Sequence, residues 1–271
     1  MRIAQPSKIL AYLPVYIAIE GKNHEMFTYD DPLESIRAAV KGEVEMSMGD
    51  PFLFDYIDYN EENIVIFAGF IKRVFHSLIT FNPFVKTADK KELEGKTIVS
   101  YPEPSTSFFL SRRLKQQLKF GNIIQTPFNT ELGPLLTQEA DAAIVLEPNT
   151  TYAIRNGARE LLDFSKQEMV MTGFCTTLPY YRKHLKELKK FLEEVKIGIE
   201  LFENDEETTL RVAKKYFPLV EELILTESIE KLRNAKIYCK DFKFNDNEIK
   251  EGIKMRDISI PYAQVKKYIF D

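Results

Sequence analysis

The stretch KTIVSYPEPSTSFFLSRRLKQQL, residues 96–118, decides how this chain is read. Thr97, Ile98 and Val99 form a short apolar strand. Pro102 and Pro104 then hold the backbone extended, because proline restricts both its own φ and the residue before it. Behind them Leu110, Leu114 and Leu118 recur at helical spacing. Ser105, Thr106 and Ser107 therefore sit at a helix start that follows a strand. A helix leaves its first N–H groups without intrahelical acceptors and carries partial positive charge at that end. Simple N-capping is one reading, but a cap uses a single hydroxyl. Three in a row favour a seat for an anionic group, built from N–H donors and hydroxyls together. Arg112 and Arg113, one turn later, are read as facing solvent.

Outward from this stretch the alternation of strand and helix continues. Residues 9–13 read as a first strand, with Pro14 in the first turn of the helix behind it. Further strands are predicted at 26–29, 43–48, 64–70, 77–81, 123–125, 142–146 and 169–176. Helices are predicted at 32–40, 52–59, 130–138 and 150–157. From 181 onward the pattern is helical, with Leu185, Leu188, Leu192, Val195, Ile199 and Phe202 on one face. Two segments echo each other: SIRAAVKGEVEMSMGDP (35–51) and ELGPLLTQEADAAIVLEP (131–148) both run helix, acidic turn, small-residue strand, acid, proline. Alternation of this kind favours parallel strands covered by helices. Two such units predict an α/β protein of two lobes facing each other.

Bulk properties narrow the function. A chain of 271 residues, 44% hydrophobic, is long enough for two medium domains with a substantial core. No segment approaches the ~20 apolar residues of a membrane span, so no transmembrane segment is expected. A net charge of -4 with Lys and Glu interspersed lacks the basic face of a nucleic-acid binder. Cys175 and Cys239 are too few and too far apart for a metal framework, and His24, His76 and His184 are scattered. Neither a metal nor a cofactor is expected. Arg2 is followed by IAQPSKILAYLPVYIAIE, broken by Gln5, Pro6, Lys8 and Pro14, which does not read as a secretory leader. The protein is expected to be extracytoplasmic if a leader has been removed and cytoplasmic if Met1 is the native start.

The segments LAYLPVYIAIEGK, KGEVEMSMGDP, LEGKTIVSYPEPSTSFFLSRRL, EADAAIVLEPNTTYAIRNGA and LPYYRKHLKELKKFLEEVKIGIELFEN, in this order, resemble the ABC-transporter solute-binding proteins for sulfonates, nitrate, taurine or thiamine-precursor pyrimidines. The resemblance covers roughly residues 3–217. It implies a two-lobed, type II periplasmic-binding-protein-like fold, each lobe a mostly parallel sheet flanked by helices, with a helical C-terminal region. Lobe one would comprise 1–81 plus 175–271 and lobe two 82–174, with crossings at Phe81-Asn82 and Phe174-Cys175. A small polar or anionic ligand would be enclosed between them by hinge closure, which would present a surface to an ABC permease. The leader and lipid-anchoring cysteine that those proteins carry are not expected from these residues. The chain lacks tryptophan, for which Tyr12, Phe52 or Phe108 would substitute as a stacking surface. Two alternatives keep the fold: a cytoplasmic enzyme like those of menaquinone or thiamine pathways, and a cytoplasmic ligand sensor.

Ligands of open α/β sheets sit beyond the carboxyl ends of strands. That rule nominates the loops with Tyr12 and Leu13, Asp50 and Phe52, Ser105, Thr106 and Ser107, and Glu147 and Asn149. Asp50 and Glu147 each end a strand before a proline; they cap the next helix or bind a polar or cationic part of the ligand. Two carboxylates in one cleft would repel a wholly anionic ligand and favour one with donors, such as an amino-sulfonate or an aminopyrimidine. His76 could serve as acid or base, or sit as a satisfied hinge histidine. Cys175 could be a nucleophile only beside a base or cation, and otherwise packs in a hinge strand.

Overall fold

The computed structural model describes residues 1–270. The chain opens with β1 (Arg2–Gln5), α1 (Leu13–Ile19), β2 (Glu25–Thr28), α2 (Pro32–Val40), β3 (Met46–Gly49) and β4 (Ile64–Arg73). It continues through β5 (His76–Thr80), α3 (Lys90–Leu93), β6 (Thr97–Ser100), α4 (Thr106–Leu118), β7 (Asn122–Gln125) and α5 (Leu132–Leu136). Then come β8 (Ala142–Leu146), α6 (Asn149–Arg155), β9 (Arg159–Asp163) and β10 (Glu168–Thr177). Five helices close it: α7 (Leu178–Asn204), α8 (Glu206–Tyr216), α9 (Glu222–Ala235), α10 (Asp246–Arg256) and α11 (Tyr262–Val265).

Two five-stranded sheets form, in the orders β2-β1-β3-β10-β4 and β7-β6-β8-β5-β9. The orders are equivalent, and the echoing segments supply the same third strand, β3 or β8, in each. The sheets are mixed. β1 runs parallel to β2 and β3, and β6 parallel to β7 and β8, whereas β10 and β5 run antiparallel to both their neighbours. These antiparallel members are the strands that arrive directly from the opposite sheet.

Strand pairing moves the expected crossings. β5 pairs with β8 and β9, so residues 76–80 lie in the second sheet, and the chain passes over at Val74-Phe75 rather than Phe81-Asn82. Asn82-Pro83 marks only the end of β5. The return lies in residues 164–167, because β10 is one continuous strand in the first sheet and has no break at Phe174-Cys175.

Two local expectations also change. Residues 9–13 are not a strand. Leu10–Tyr12 is a 3-10 turn that runs into α1, and the whole run from Leu10 to Ile19 is buried. A continuous apolar run suits a buried helix as well as a buried strand, and Pro14 in the first turn settles the matter for helix. Residues 52–59 form turns instead of a helix, fixed by the Phe52 N–H on Asp50 Oδ1 (2.9 Å) and the Tyr59 hydroxyl on the Pro51 carbonyl (2.8 Å).

The main apolar cluster includes residues of both sheets. The C-terminal region is anchored along β4: the Gly69 N–H donates to the Phe242 carbonyl at 2.7 Å, and the Phe244 ring lies where a Gly69 Cβ would stand, 2.9 Å away. α10 thereby reaches both β10 and α4, next to the gap between the lobes.

Candidate functional site

The carboxyl ends of four strands, two from each sheet, converge between the lobes. Pro6 follows β1, Asp50 follows β3, Tyr101 follows β6 and Leu146 ends β8; all four line one cavity of about 40 Å³. A dry cavity of about 150 Å³ accepts benzene and about 10–15 Å³ holds a water. In this arrangement of the lobes the cavity is too small for an organic molecule.

The three hydroxyls at the start of α4 divide their work. Ser105 caps the helix, accepting from the Phe108 N–H at 3.2 Å, and Ser107 Oγ accepts from the Tyr101 N–H at 3.2 Å. Thr106 donates across the gap to Asp50 Oδ2 at 3.2 Å. The N–H groups of Thr106 and Ser107 have no acceptor within the helix, and both residues line the cavity. Asn129 Nδ2 donates to Ser7 Oγ at 3.3 Å, and the Tyr56 hydroxyl to the Glu103 carboxylate, as further links between the lobes.

On the opposite wall, Asp50 Oδ2 also accepts from Arg256 Nε at 2.8 Å. Tyr12 lies beside Thr172, and burial pushes its hydroxyl pKa up. The Tyr101 ring packs on Phe128 at 4.5 Å, and its buried hydroxyl lies beside Glu131. Burial raises the Glu131 carboxyl pKa as well.

His76 opens β5, directly after the first crossing, and lines the same cavity with Nδ1 lacking a partner. Burial lowers its pKa from 6.5 to about 3, so the folded ring stays neutral where the unfolded one takes a proton. Its contribution to stability is complete above pH 6.5 and is lost as pH falls from 6.5 toward 3. Urea unfolding is expected to report about 2 kcal/mol less stability at pH 5 than at pH 7 from this group. The His76→Gln variant should lose that slope; an unchanged slope would place its origin elsewhere.

Of the residues nominated from sequence, the structure brings Tyr12, Asp50, His76, Ser105, Thr106 and Ser107 to this cavity. Five others lie elsewhere. Leu13 is fully buried in the main core, on the first turn of α1. Phe52 turns away from the gap, packing on Gly252 and under the Arg256 guanidinium, 5.7 Å from its ring centre. Glu147 is held by the Thr151 N–H of α6 (3.1 Å), and the Ser228 hydroxyl (2.8 Å) and Lys231 (3.3 Å) tie it to α9. Asn149 donates to Glu131 at 2.7 Å. Cys175 is buried in a separate apolar cluster, where burial pushes its thiol pKa up, away from the thiolate a nucleophile needs. The expected pair of cleft carboxylates thus reduces to Asp50, itself matched by Arg256. Sequence reading missed Arg256, although it shares a helical face with the buried Ile249 and Gly252. A charged residue in that stripe was the available signal.

Among the described residues no group of side chains is arranged to hold a metal ion, and no helix is long and apolar enough to cross a membrane.

Two mixed sheets of equivalent order, joined by two crossings and flanked by helices, with a helical C-terminal region, define the two-lobed periplasmic-binding-protein fold. Solved structures with this fold include the alkanesulfonate-binding protein SsuA from Xanthomonas axonopodis pv. citri bound to MOPS (TM-score 0.76, 12% identity, covering 100% of this chain and 97% of that one). The periplasmic aliphatic sulphonate binding protein SsuA from Escherichia coli is similar (TM-score 0.76, 14% identity, 99% and 93% covered). So is a conserved Candida albicans gene product described as defining a new family with the generic periplasmic binding protein fold (TM-score 0.60, 15% identity, 94% and 95% covered). No protein-family model matches the sequence, and no curated protein matches it significantly.

Proposed function

We propose that the protein binds a small organic anion between its lobes and closes on it by bending at residues 74–75 and 164–167, as the solute-binding component of an ABC-type uptake system with a permease as partner. One observation carries the reading: the carboxyl ends of β1, β3, β6 and β8 meet at one cavity, the position where open α/β sheets take ligands. The α4 N-terminus supplies positive polarity there, with Thr106 beside it. Tyr12, Asp50, His76, Ser105, Thr106 and Ser107 are the proposed site residues. Proteins of this fold described as binding alkanesulfonates support a sulfonate among the candidates.

The test is thermal unfolding with ethanesulfonate, taurine, nitrate and an aminopyrimidine. A ligand present at about 100 times its Kd stabilises by ~2.7 kcal/mol, which for a chain of this size raises Tm by roughly 5–10 °C. Such a shift is expected with at least one of the anions. The absence of any shift with all four would overturn the reading, and a shift with the aminopyrimidine alone would replace the anion by a neutral heterocycle.

A further inference from the structure

Arg256 ends α10, yet its side chain is only 1% exposed. Its Nε and Nη2 both lie 2.8 Å from Asp50 Oδ2. Nη1 donates to the Gly252 carbonyl at 3.0 Å, and Nη2 donates to the Val170 carbonyl at 2.9 Å. The Phe52 ring packs against the guanidinium. Every nitrogen is thus engaged by the protein itself, and Arg256 does not line the cavity. Asp50 does, and it is the one carboxylate or basic side chain among the described residues of that wall, His76 being neutral.

This arrangement decides the sign of the field in the cavity. A helix N-terminus is equivalent to roughly +0.5 of a charge. A bare Asp50 opposite it would outweigh that and leave the cavity net negative. With Arg256 behind it the pair is neutral, and the α4 terminus becomes the dominant polarity. We propose that Arg256, acting through Asp50 as a positioning residue, sets the ligand charge that the cavity accepts and makes it a site for anions. The proposal rests on the reading above, in which the α4 N-terminus seats the anion. It assigns a role in ligand selection to the C-terminal region, through a residue 206 positions from its partner in sequence.

Isothermal titration of the full chain with ethanesulfonate, nitrate and ethylammonium tests it, using the wild type, Arg256→Gln and the Asp50→Asn/Arg256→Gln pair. A bare carboxylate about 6 Å from a bound anion, at an effective dielectric of about 20, opposes it by roughly 100-fold in affinity. Arg256→Gln is expected to lose about that much anion affinity and to gain ethylammonium binding that the wild type lacks. The double variant should return to within about tenfold of the wild type for the anion, because no charge is then left unmatched. That rescue would not follow if Arg256 mattered only for packing. A buried carboxylate stripped of its partner is costly to fold. If the single variant fails to fold, the double variant carries the test alone: retained anion binding supports the proposal, and loss of it in a folded protein overturns it. A wild-type affinity in Arg256→Gln also overturns it while leaving the anion site standing. A wild type that binds neither ethanesulfonate nor nitrate overturns this proposal, while the broader reading stands or falls on the four-ligand panel above.

Discussion

A Gly198→Ala variant is expected to unfold about 6–12 °C below the wild type, the equivalent of ~3 kcal/mol in a chain of this length. Gly198 lies on α7 where it crosses α1, and a Cβ there would stand 2.1 Å from the Pro14 carbonyl oxygen and 3.1 Å from Ala18 Cβ. The first obstacle is backbone, which cannot rotate aside as a side chain can. Relief requires the two helices to separate, and the ~1 kcal/mol by which alanine favours a helix over glycine falls short of offsetting that. The turn that leads into α1 carries Tyr12, so the displacement also reaches the cavity wall. Gly133→Ala on α5 is the control. Nothing lies within 4 Å of its added Cβ, and it should unfold no lower than the wild type. Equal melting of Gly198→Ala and the control would show that the α1–α7 contact yields more easily than its geometry implies.

The second large effect concerns Thr106. Thr106→Val removes the hydroxyl that reaches Asp50 but leaves the helix terminus, and about tenfold of anion affinity should go with it. Thr106→Asp should cost far more. The new carboxylate would lie about 4 Å from a bound anion, where repulsion at an effective dielectric of about 20 is ~4 kcal/mol, or roughly 1000-fold in Kd. Titration with whichever anion stabilises the wild type measures both. A Thr106→Asp protein that binds this anion as tightly as Thr106→Val would place the anion away from α4. The helix N-terminus favours an acid but the site is buried beside Asp50, so the comparison is made on Thr106→Asp protein shown by circular dichroism to be folded.

Much of the architecture was legible because it repeats. The echo between 35–51 and 131–148 placed β3 and β8 correctly as equivalent strands, and the strand–proline–hydroxyl–helix order of 96–118 led directly to α4 and its cap. What escaped depends on chain distant in sequence. Lys72 and Arg73 end β4 without a glycine or proline to mark the first crossing, whereas Asn82-Pro83 looks like a boundary and is only a turn. The edge strand β9, RELLD, has intermediate or exposed residues throughout and so no apolar signal. Asp50 and Glu147 are twins in local sequence, yet one meets Thr106 and Arg256 and the other Ser228 and Lys231. Periodicity reports which face is buried, not which partner waits there.

The placement of β10 has a consequence for synthesis. Strands β5 to β9 are contiguous in the chain and complete their sheet without help from any later segment. Strands β1 to β4 emerge first, but β3 and β4 are joined only through β10, some hundred residues further on. On a ribosome the half begun first is therefore finished last, and its open edges must wait while the other half assembles in the interval.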